Sequence, residues 1–511
     1  MLRILFASSE AYPLIKTGGL ADVSGSLPRA LLKLGHDVRI LMPAYRDALQ
    51  NARAAGVKTV ATFTLENAVS GDHTVSIMET RLPGSRVKTW LLDCPALFDR
   101  PGNPYLDENN QDYADNDLRF LLFSRAAAEL GLNRCGLDWQ PDVVHCNDWQ
   151  TGLTPVFLDQ LGLQSAAAEQ PRPATVFTIH NLAYQGLYGY ETFTATQLPA
   201  NFWHHEALEF HNQFSLIKGG IVYADRVNTV SPTYAREIQS ERFGYGLQGL
   251  LRHRGEKLSG ILNGINDEEW NPGTDAYLMH RYNRRTIAQR TKNKLELQKQ
   301  LGLKVDASIP LLGFIGRLVE QKGVDWILAN INLMLERGAQ LVVLGNGEHA
   351  FEAALREAAA LAPLSIAATI GYNEALAHRI EAASDIFLMP SKFEPCGLNQ
   401  LYSLRYGAVP LVHNVGGLAD TVIDTTASSL EDGSATGFVF DSLARDEPGD
   451  IALQTTLGRA LDLYTDKPCW QSLQSNGMQQ DNSWKQSALK YERLYRAAIA
   501  DVAGKSPAYL T

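Results

Sequence analysis

The sequence predicts an α/β protein built from two open, largely parallel sheets, one in each half of the chain. Short apolar or β-branched runs alternate with helical stretches, the pattern of strands joined by helical crossovers. At 511 residues the chain exceeds what one hydrophobic core serves, so two domains of about 200 to 250 residues are expected. Each half also carries a glycine-rich stretch after a strand-like run, Gly18-Gly19-Leu20-Ala21-Asp22 and Gly416-Gly417-Leu418-Ala419-Asp420. This echo is either a chance match of common residues or a true structural equivalence, and in both cases each half carries a glycine-rich anion-type loop that opens a helix.

In the first half the strand runs are residues 2–7, 37–42, 87–93, 142–146, 174–180 and 226–230. Two alternating runs between Val57 and Glu79 predict a local antiparallel addition. The polar segment 101–116 has Pro-Gly, Asn-Pro and Asn-Asn signals with Tyr105 and Tyr113, and reads as a mobile loop on the substrate side. Around 259–264 a short strand and a glycine turn precede a charged helical stretch, which marks the domain boundary. Second-half strands follow at 311–315, 340–344, 366–370, 385–389, 409–412 and 437–440. Trp484, Leu489, Tyr491, Leu494 and Tyr495 have helical spacing, and that helix is expected to pack back on the first domain. The expected division is 1–260, 261–480 and 481–511.

Hydrophobic residues make up 45% and charged residues 20%, an ordinary globular composition. The formal net charge of -10 argues against a nucleic-acid partner, while leaving room for a local basic pocket. Cys94, Cys135, Cys146, Cys396 and Cys469 show no C-x-x-C spacing, so neither a disulfide framework nor a zinc site is expected, and a reducing cytoplasm fits. The N-terminus enters a strand-like run with no leader and no long apolar segment, which predicts a protein neither secreted nor membrane-spanning.

Five stretches carry candidate chemistry. Ser391-Lys392-Phe393-Glu394-Pro395-Cys396-Gly397-Leu398-Asn399-Gln400 follows an apolar strand, and Leu398, Leu401, Tyr402 and Arg405 have helical spacing. Pro395 suits a first helical turn, so Glu394 is expected at the cap beside free backbone N–H groups. The stretch is either an ordinary capped turn or an anion site. Lys16-Thr17-Gly18-Gly19-Leu20 offers backbone N–H groups and a cation with no side chain in the way, or else a glycine turn with a solvated lysine. It matches neither a dinucleotide fingerprint nor a phosphate-binding P-loop, which lowers hydride transfer and ATP hydrolysis together. Arg317 and Lys322 share one loop after a buried strand, as a diphosphate clamp or as two surface charges. His180-Asn181 and Asn147-Asp148-Trp149 end two further strands, bringing imidazole, carboxylate and carboxamide groups to one sheet edge.

Together these residues resemble the bacterial glycogen synthase and plant starch synthase family of retaining glucosyltransferases. The resemblance runs from Lys16-Thr17-Gly18-Gly19-Leu20 through His180-Asn181-Leu182-Ala183-Tyr184-Gln185-Gly186 and Val230-Ser231-Pro232-Thr233-Tyr234-Ala235 to Glu394-Pro395-Cys396-Gly397-Leu398. It implies a GT-B fold, with two Rossmann-like domains facing across a deep cleft and the C-terminal helix crossing back. The implied partners are ADP-glucose and glycogen or another α-1,4-glucan, glucose being added at the non-reducing end. By the same resemblance Glu394 holds the glucose hydroxyls and stabilises the sugar cation, and Arg317 and Lys322 neutralise the leaving diphosphate. His180, through its backbone carbonyl, and Asp148 lie on the other side of the sugar. Lys16, Gly18, Gly19, Asp22, Asn263, Cys396, Gly397, Leu398 and Tyr402 bind the donor, and Tyr105 lies on the acceptor side. No metal and no cofactor is implied.

Retention is a family inference. A double displacement would need a carboxylate on the sugar's β face, which the sequence does not place, so a front-face mechanism is preferred. Three positions depart from the family pattern: Asn147 where histidine is frequent, Asn266 where aspartate is usual, and Tyr402 where related enzymes carry a second glutamate. The competing readings are UDP-glucose as donor, a phosphorylase, for which no pyridoxal phosphate lysine segment is found, and a non-catalytic glucan-binding subunit.

Overall fold

The computed structural model describes residues 1–66, 68, 69, 71–164, 172–444 and 446–504. The chain divides into two compact units, Met1–Asn263 together with the chain from Trp484 onward, and Gly264–Ser483. Residues 505–511 of the expected C-terminal segment lie outside the described residues.

Among the described residues, nine strands form the sheet of the first unit. Their spatial order is Leu258–Gly260, Arg226–Thr229, Ala174–Ile179, Val143–Asn147, Arg3–Ala7, Asp37–Pro43, Lys88–Asp93, His73–Arg81 and Lys58–Leu65. All neighbours are parallel except His73–Arg81, which pairs antiparallel on both sides; this is the addition expected between Val57 and Glu79. Val143–Asn147 and Ala174–Ile179 are buried along their whole length, as a sheet covered on both faces requires. One face is closed by the helix Gly19–Lys33 and by the C-terminal helix Trp484–Gly504, around Ile4, Phe6, Val38, Val143 and Val176.

The second unit is a six-stranded parallel sheet in the order Ile366–Ile370, Gln340–Gly345, Leu311–Ile315, Ile386–Met389, Val409–His413 and Phe438–Phe440. Numbered along the chain this is 3-2-1-4-5-6, the classic doubly wound order. In both units the chain builds outward on one side of its first strand, then returns to build on the other. The loops leaving the two strands at that reversal diverge, and a crevice opens at their carboxyl ends.

The C-terminal helix presents Trp484, Ala488, Tyr491, Tyr495 and Ala498 inward, at helical spacing. Its buried polar groups are matched: Tyr495 Oη lies 2.8 Å from His145 Nδ1, Asn228 donates to Tyr491 Oη at 3.1 Å, and Arg226 forks onto Asp501 at 2.7 and 3.0 Å. Burial drives His145 down to a pKa of about 3, so its ring is neutral and one nitrogen must accept.

Two expectations change. The segment 101–116 was expected to be a mobile loop, yet it is fastened from beneath by the buried Arg119, which donates to Leu97 O (2.8 Å), Pro104 O (2.9 Å) and Asn116 Oδ1 (2.6 Å). Leu106 and Asp112 also form a β-bridge inside it. A guanidinium with five fixed donors can organise several carbonyls at once, an order that turn signals do not reveal. Second, a small antiparallel sheet of Leu187–Tyr188, Gln213–Ser215 and Glu209–Phe210 forms where no strand was expected, from runs too short to show a period.

Replacing Tyr495 by Phe keeps the ring and strips the partner from a buried imidazole. We expect a stability loss of about 1–3 kcal/mol, read as a lower urea midpoint at unchanged slope. An unchanged midpoint would show that this hydroxyl does not help to hold the helix.

Candidate functional site

In the second unit the reversal lies between Leu311–Ile315 and Ile386–Met389, and the loops leaving these strands carry Arg317, Lys322 and Glu394. The loops are laced together. Asn399 Nδ2 donates to Ile315 O at 2.8 Å, Gln321 Nε2 to Phe393 O at 3.0 Å, and the N–H of Lys392 to Gln321 O at 2.8 Å. Gly323 has φ 70°, and a side chain there would strike Pro390 O. Only glycine permits that approach.

Glu394 is 7% exposed, and its Oε2 accepts from Lys322 Nζ at 2.5 Å and from Ser391 Oγ at 3.0 Å. Arg317 is exposed and donates to Gln321 Oε1 at 3.0 Å. The expected pair of cations therefore differ in state: Lys322 already neutralises the glutamate, while Arg317 faces solvent. A half-buried ammonium beside a buried carboxylate gains more from pairing than from water, provided further hydrogen bonds complete both groups.

The expected helix cap at Glu394 is not formed. The helix runs Asn399–Tyr406 with Leu398 as its cap, and residues 394–398 are loop, with Gly397 at φ 73°. Gly416 and Gly417 explain the delay, because the Gly417 N–H donates to Glu394 O at 3.1 Å and side chains on either glycine would strike Glu394 O and Cys396 O. The second half of the Gly-Gly-Leu-Ala-Asp echo thus opens a helix, Gly416–Thr421, but its glycines are filled by the chain's own loop and do not present an anion site. Cys396 is buried beneath them.

Tyr402 is 8% exposed and stacks on Trp270 at 3.7 Å, with His378 on the opposite face at 3.8 Å. Burial lowers the pKa of His378, but hydrogen bonds to Asp275 and Glu374 outweigh it and hold the imidazolium to about 9. Tyr402 therefore sits in an aromatic stack and not open at the sheet edge. Asn266 donates to Glu269 Oε2 at 3.2 Å, a bond the usual aspartate cannot make, and its turn leads directly into Trp270.

In the first unit the reversal lies between Arg3–Ala7 and Val143–Asn147. Asp148 follows the second of these strands with φ 58° and ψ -178°, a conformation that costs a non-glycine residue about 1–3 kcal/mol. Its carboxylate accepts from the His180 N–H at 2.7 Å. Burial raises Asp148 to about 7 against the pull of the His180 and Asn181 N–H groups, and the Glu10 carboxylate adds to the rise. His180 Nε2 lies 3.0 Å from Asn147 Oδ1, and burial lowers this imidazole to about 3, so the ring is neutral. Asn147 thus takes the place of the frequent histidine as an acceptor for the ring while its amide donates to Ala7 O at 3.0 Å. Asn263 is buried, and its Oδ1 makes no hydrogen bond, leaving an acceptor that a ligand hydroxyl or N–H can satisfy.

Lys16 pairs with Asp22 at 2.8 Å, and a side chain added at Gly18 or Gly19 would meet nothing within 4 Å. The loop is open on that face, but its N–H groups are only partly available. Those of Thr17 and Gly18, which the sequence reading offered to a phosphate, donate to the buried Glu10 at 2.5 and 3.3 Å. Tyr105, expected on the acceptor side, turns its hydroxyl inward to Ser9 (2.8 Å) and Glu10 (3.1 Å).

Sequence reasoning missed Glu10, Ser391 and Tyr372. Glu10 and Ser391 lie in the loops that leave the strands at the two reversals, which is the signal that marks them. Tyr372 is 79% exposed just past the carboxyl end of Ile366–Ile370, with its hydroxyl bonded to Glu374. An exposed ring at that edge is a platform for a flat ligand group. Among the described residues, no group of three or more His, Cys, Asp or Glu side chains is placed to hold a metal ion.

Each doubly wound unit thus gathers charged and hydrogen-bonding groups at its reversal, and similarity to known proteins makes the chain a glycosyltransferase. Residues 3–253 match the family model described as starch synthase catalytic domain, and residues 309–444 match that of glycosyl transferases group 1. The chain is 56% identical to a glycogen synthase of Cellvibrio japonicus over 97% of this chain and 99% of that protein, and 53% identical to one of Marinobacter nauticus over 98% of each. The catalytic domain of starch synthase IV from Arabidopsis thaliana, solved bound to ADP and acarbose, superposes with a TM-score of 0.85 at 32% identity, covering 98% of this chain and 99% of that one. A sucrose-phosphate synthase from Thermosynechococcus elongatus, at TM-score 0.56 and 16% identity, shares the fold. The chain belongs to the glycogen synthase family.

Asp148 yields a pH prediction. Its pKa is about 7 in the folded chain against an ordinary 3.8, so between those values the folded state binds a proton that the unfolded chain has lost. Its contribution therefore makes the protein less stable as pH rises from 4 to 7. Asp148→Asn should flatten that slope in urea midpoints measured across this range; an unaltered slope would show that this carboxyl does not titrate there.

Proposed function

We propose that the protein transfers glucose from ADP-glucose to the non-reducing end of an α-1,4-glucan, with glycogen as acceptor, and retains the α configuration. The observation that carries this reading is the buried Glu394 carboxylate, hydrogen-bonded by Lys322 and Ser391 at the reversal of the second sheet. Full-length identity to glycogen synthases supports it, and the ADP in the starch synthase IV structure supports the nucleotide.

As the bond from sugar to diphosphate breaks, negative charge builds on the leaving group and positive charge on the ring. Arg317 and Lys322 stabilise the former, and the N–H groups of Asn399 and Gln400, which the helix itself cannot satisfy, add to the field. Glu394 holds the glucose hydroxyls and favours the cationic ring. In the second unit Cys396, Gly397 and Leu398 line the donor pocket and Tyr372 offers a ring to the base; in the first unit Asn263 offers the donor an unsatisfied acceptor. Lys16, with Gly18, Gly19 and Asp22, contacts the sugar-phosphate region. Asp148 fixes the His180 backbone so that its carbonyl faces the sugar, and a neutral imidazole adds no positive charge beside the developing cation. The departing phosphate takes the proton of the acceptor hydroxyl from the front face, so no protein base is required.

No helix among the described residues is long and apolar enough to cross a membrane. Five free cysteines fit action on glycogen in the reducing cytoplasm.

Incubation of purified protein with glycogen and ADP-glucose or UDP-glucose tests the reading. Chain extension with ADP release is expected, and transfer from UDP-glucose alone would overturn the nucleotide assignment. Glu394→Gln should lower turnover at least about 100-fold, equivalent to about 3 kcal/mol of lost electrostatic stabilisation. Near-normal turnover would remove Glu394 from the machinery. Activity should persist in excess EDTA, because fixed cations supply the charge that a divalent ion would bring; strict dependence on Mg²⁺ would contradict this.

A further inference from the structure

Glu10 lies in the loop that leaves the strand Arg3–Ala7 and is 3% exposed. Hydrogens from two separate segments converge on its carboxylate. Oε2 accepts from the N–H of Thr17 at 2.5 Å and of Gly18 at 3.3 Å, and Thr17 Oγ1 lies 2.9 Å from both oxygens. Oε1 accepts from the Tyr105 hydroxyl at 3.1 Å. Tyr105 is itself fixed, its carbonyl taken by Asn116 at 2.9 Å, and Asn116 is gripped by Arg119. The Glu10 carbonyl accepts from Ser8 Oγ at 2.9 Å, which ties the loop to the strand end.

Among the described residues no cation pairs with Glu10; the neighbouring Lys16 pairs with Asp22. A carboxylate buried without a counter-ion costs stability unless dipoles surround it, and here every such dipole comes from the two loops. An apolar side chain would cost a core less, so what the carboxylate contributes is the order it imposes on these loops.

We infer that Glu10 is a positioning residue for donor binding: it locks the Lys16–Gly19 loop to Tyr105, so that Lys16 and the open face at Gly18 and Gly19 are presented in one register. One carboxylate bonded to both loops fixes the distance between them. A side chain lacking either oxygen releases one loop from the other. The inference rests on the reading of the Lys16 loop as part of the donor site.

The test compares Glu10→Ala, Glu10→Gln, Tyr105→Phe and the Glu10→Gln/Tyr105→Phe pair. ADP binding is measured by calorimetry, transfer kinetics with ADP-glucose, and backbone amide exchange at Thr17 and Gly18. Glu10→Ala should weaken ADP binding and raise the KM for ADP-glucose by about 10-fold or more, the scale of losing hydrogen bonds to a charged group. Glu10→Gln, which keeps one acceptor oxygen, should restore part of that loss. The double variant should lose less than the sum of its parts, because both changes break the same lock. Exchange at Thr17 and Gly18 should quicken while the strand Val143–Asn147 keeps its protection. Wild-type ADP affinity in Glu10→Ala, or additive effects in the pair, overturns the inference. So does an equal loss of protection in that strand, which marks a merely structural role. Amide exchange needs no transfer, so a wild type that moves no glucose sinks the functional reading and still leaves Glu10 to be judged.

Discussion

Each unit depends on the reversal of strand order beside its first strand. Parallel strands require crossovers, and a right-handed crossover places its helix on one face when the chain moves left along the sheet and on the other when it moves right. Where the direction changes, two loops leave neighbouring strands toward opposite faces and nothing covers the gap. In the second unit that gap receives the loops of Arg317, Lys322 and Glu394; in the first it receives those of Glu10, Lys16 and Asp148. The candidate residues are dispersed in sequence because a reversal always joins the first strand to one formed much later.

The two units solve the burial of acidic groups differently. Glu394 is answered by an ammonium and a hydroxyl, so its charge is paired before any ligand arrives. Glu10 and Asp148 are answered by backbone N–H groups and hydroxyls alone, and burial lifts both above the ordinary carboxylate range. A carboxylate surrounded by dipoles orders the chain segments that supply them, which suits groups that hold loops. One paired with lysine and a hydroxyl is held in place by a charged partner, which suits the role proposed for Glu394.

The C-terminal helix ties distant parts of the sequence into the first unit. Its apolar stripe closes the sheet beside the helix Gly19–Lys33, whose N-terminus carries the glycine-rich loop. The tyrosine bonds to His145 and Asn228 fix its register, since sliding by one turn would leave several buried polar groups without partners at once. The strands Val143–Asn147 and Ala174–Ile179, whose ends bear Asp148 and His180, pack against this helix.

The strands were legible in the sequence because a strand buried on both faces needs a continuous apolar run, and those runs stand out between polar helices. The residue types beyond the strand ends, Lys16, Asp148, His180, Arg317, Lys322 and Glu394, were visible in the sequence, but each of those stretches also read as an ordinary turn or a surface charge, and only the family resemblance gave them roles. What the tertiary structure alone decided is which of these groups meet. Lys322 is bound to Glu394 from 72 residues away, and the donors of Thr17 and Gly18 are claimed by Glu10. The start of the helix after Glu394 was also misplaced, because Gly416 and Gly417 draw the loop's carbonyls away from helical geometry. Local propensity sets where a chain can turn or coil, but hydrogen bonds between loops depend on strand order, and strand order is a property of the folded sheet.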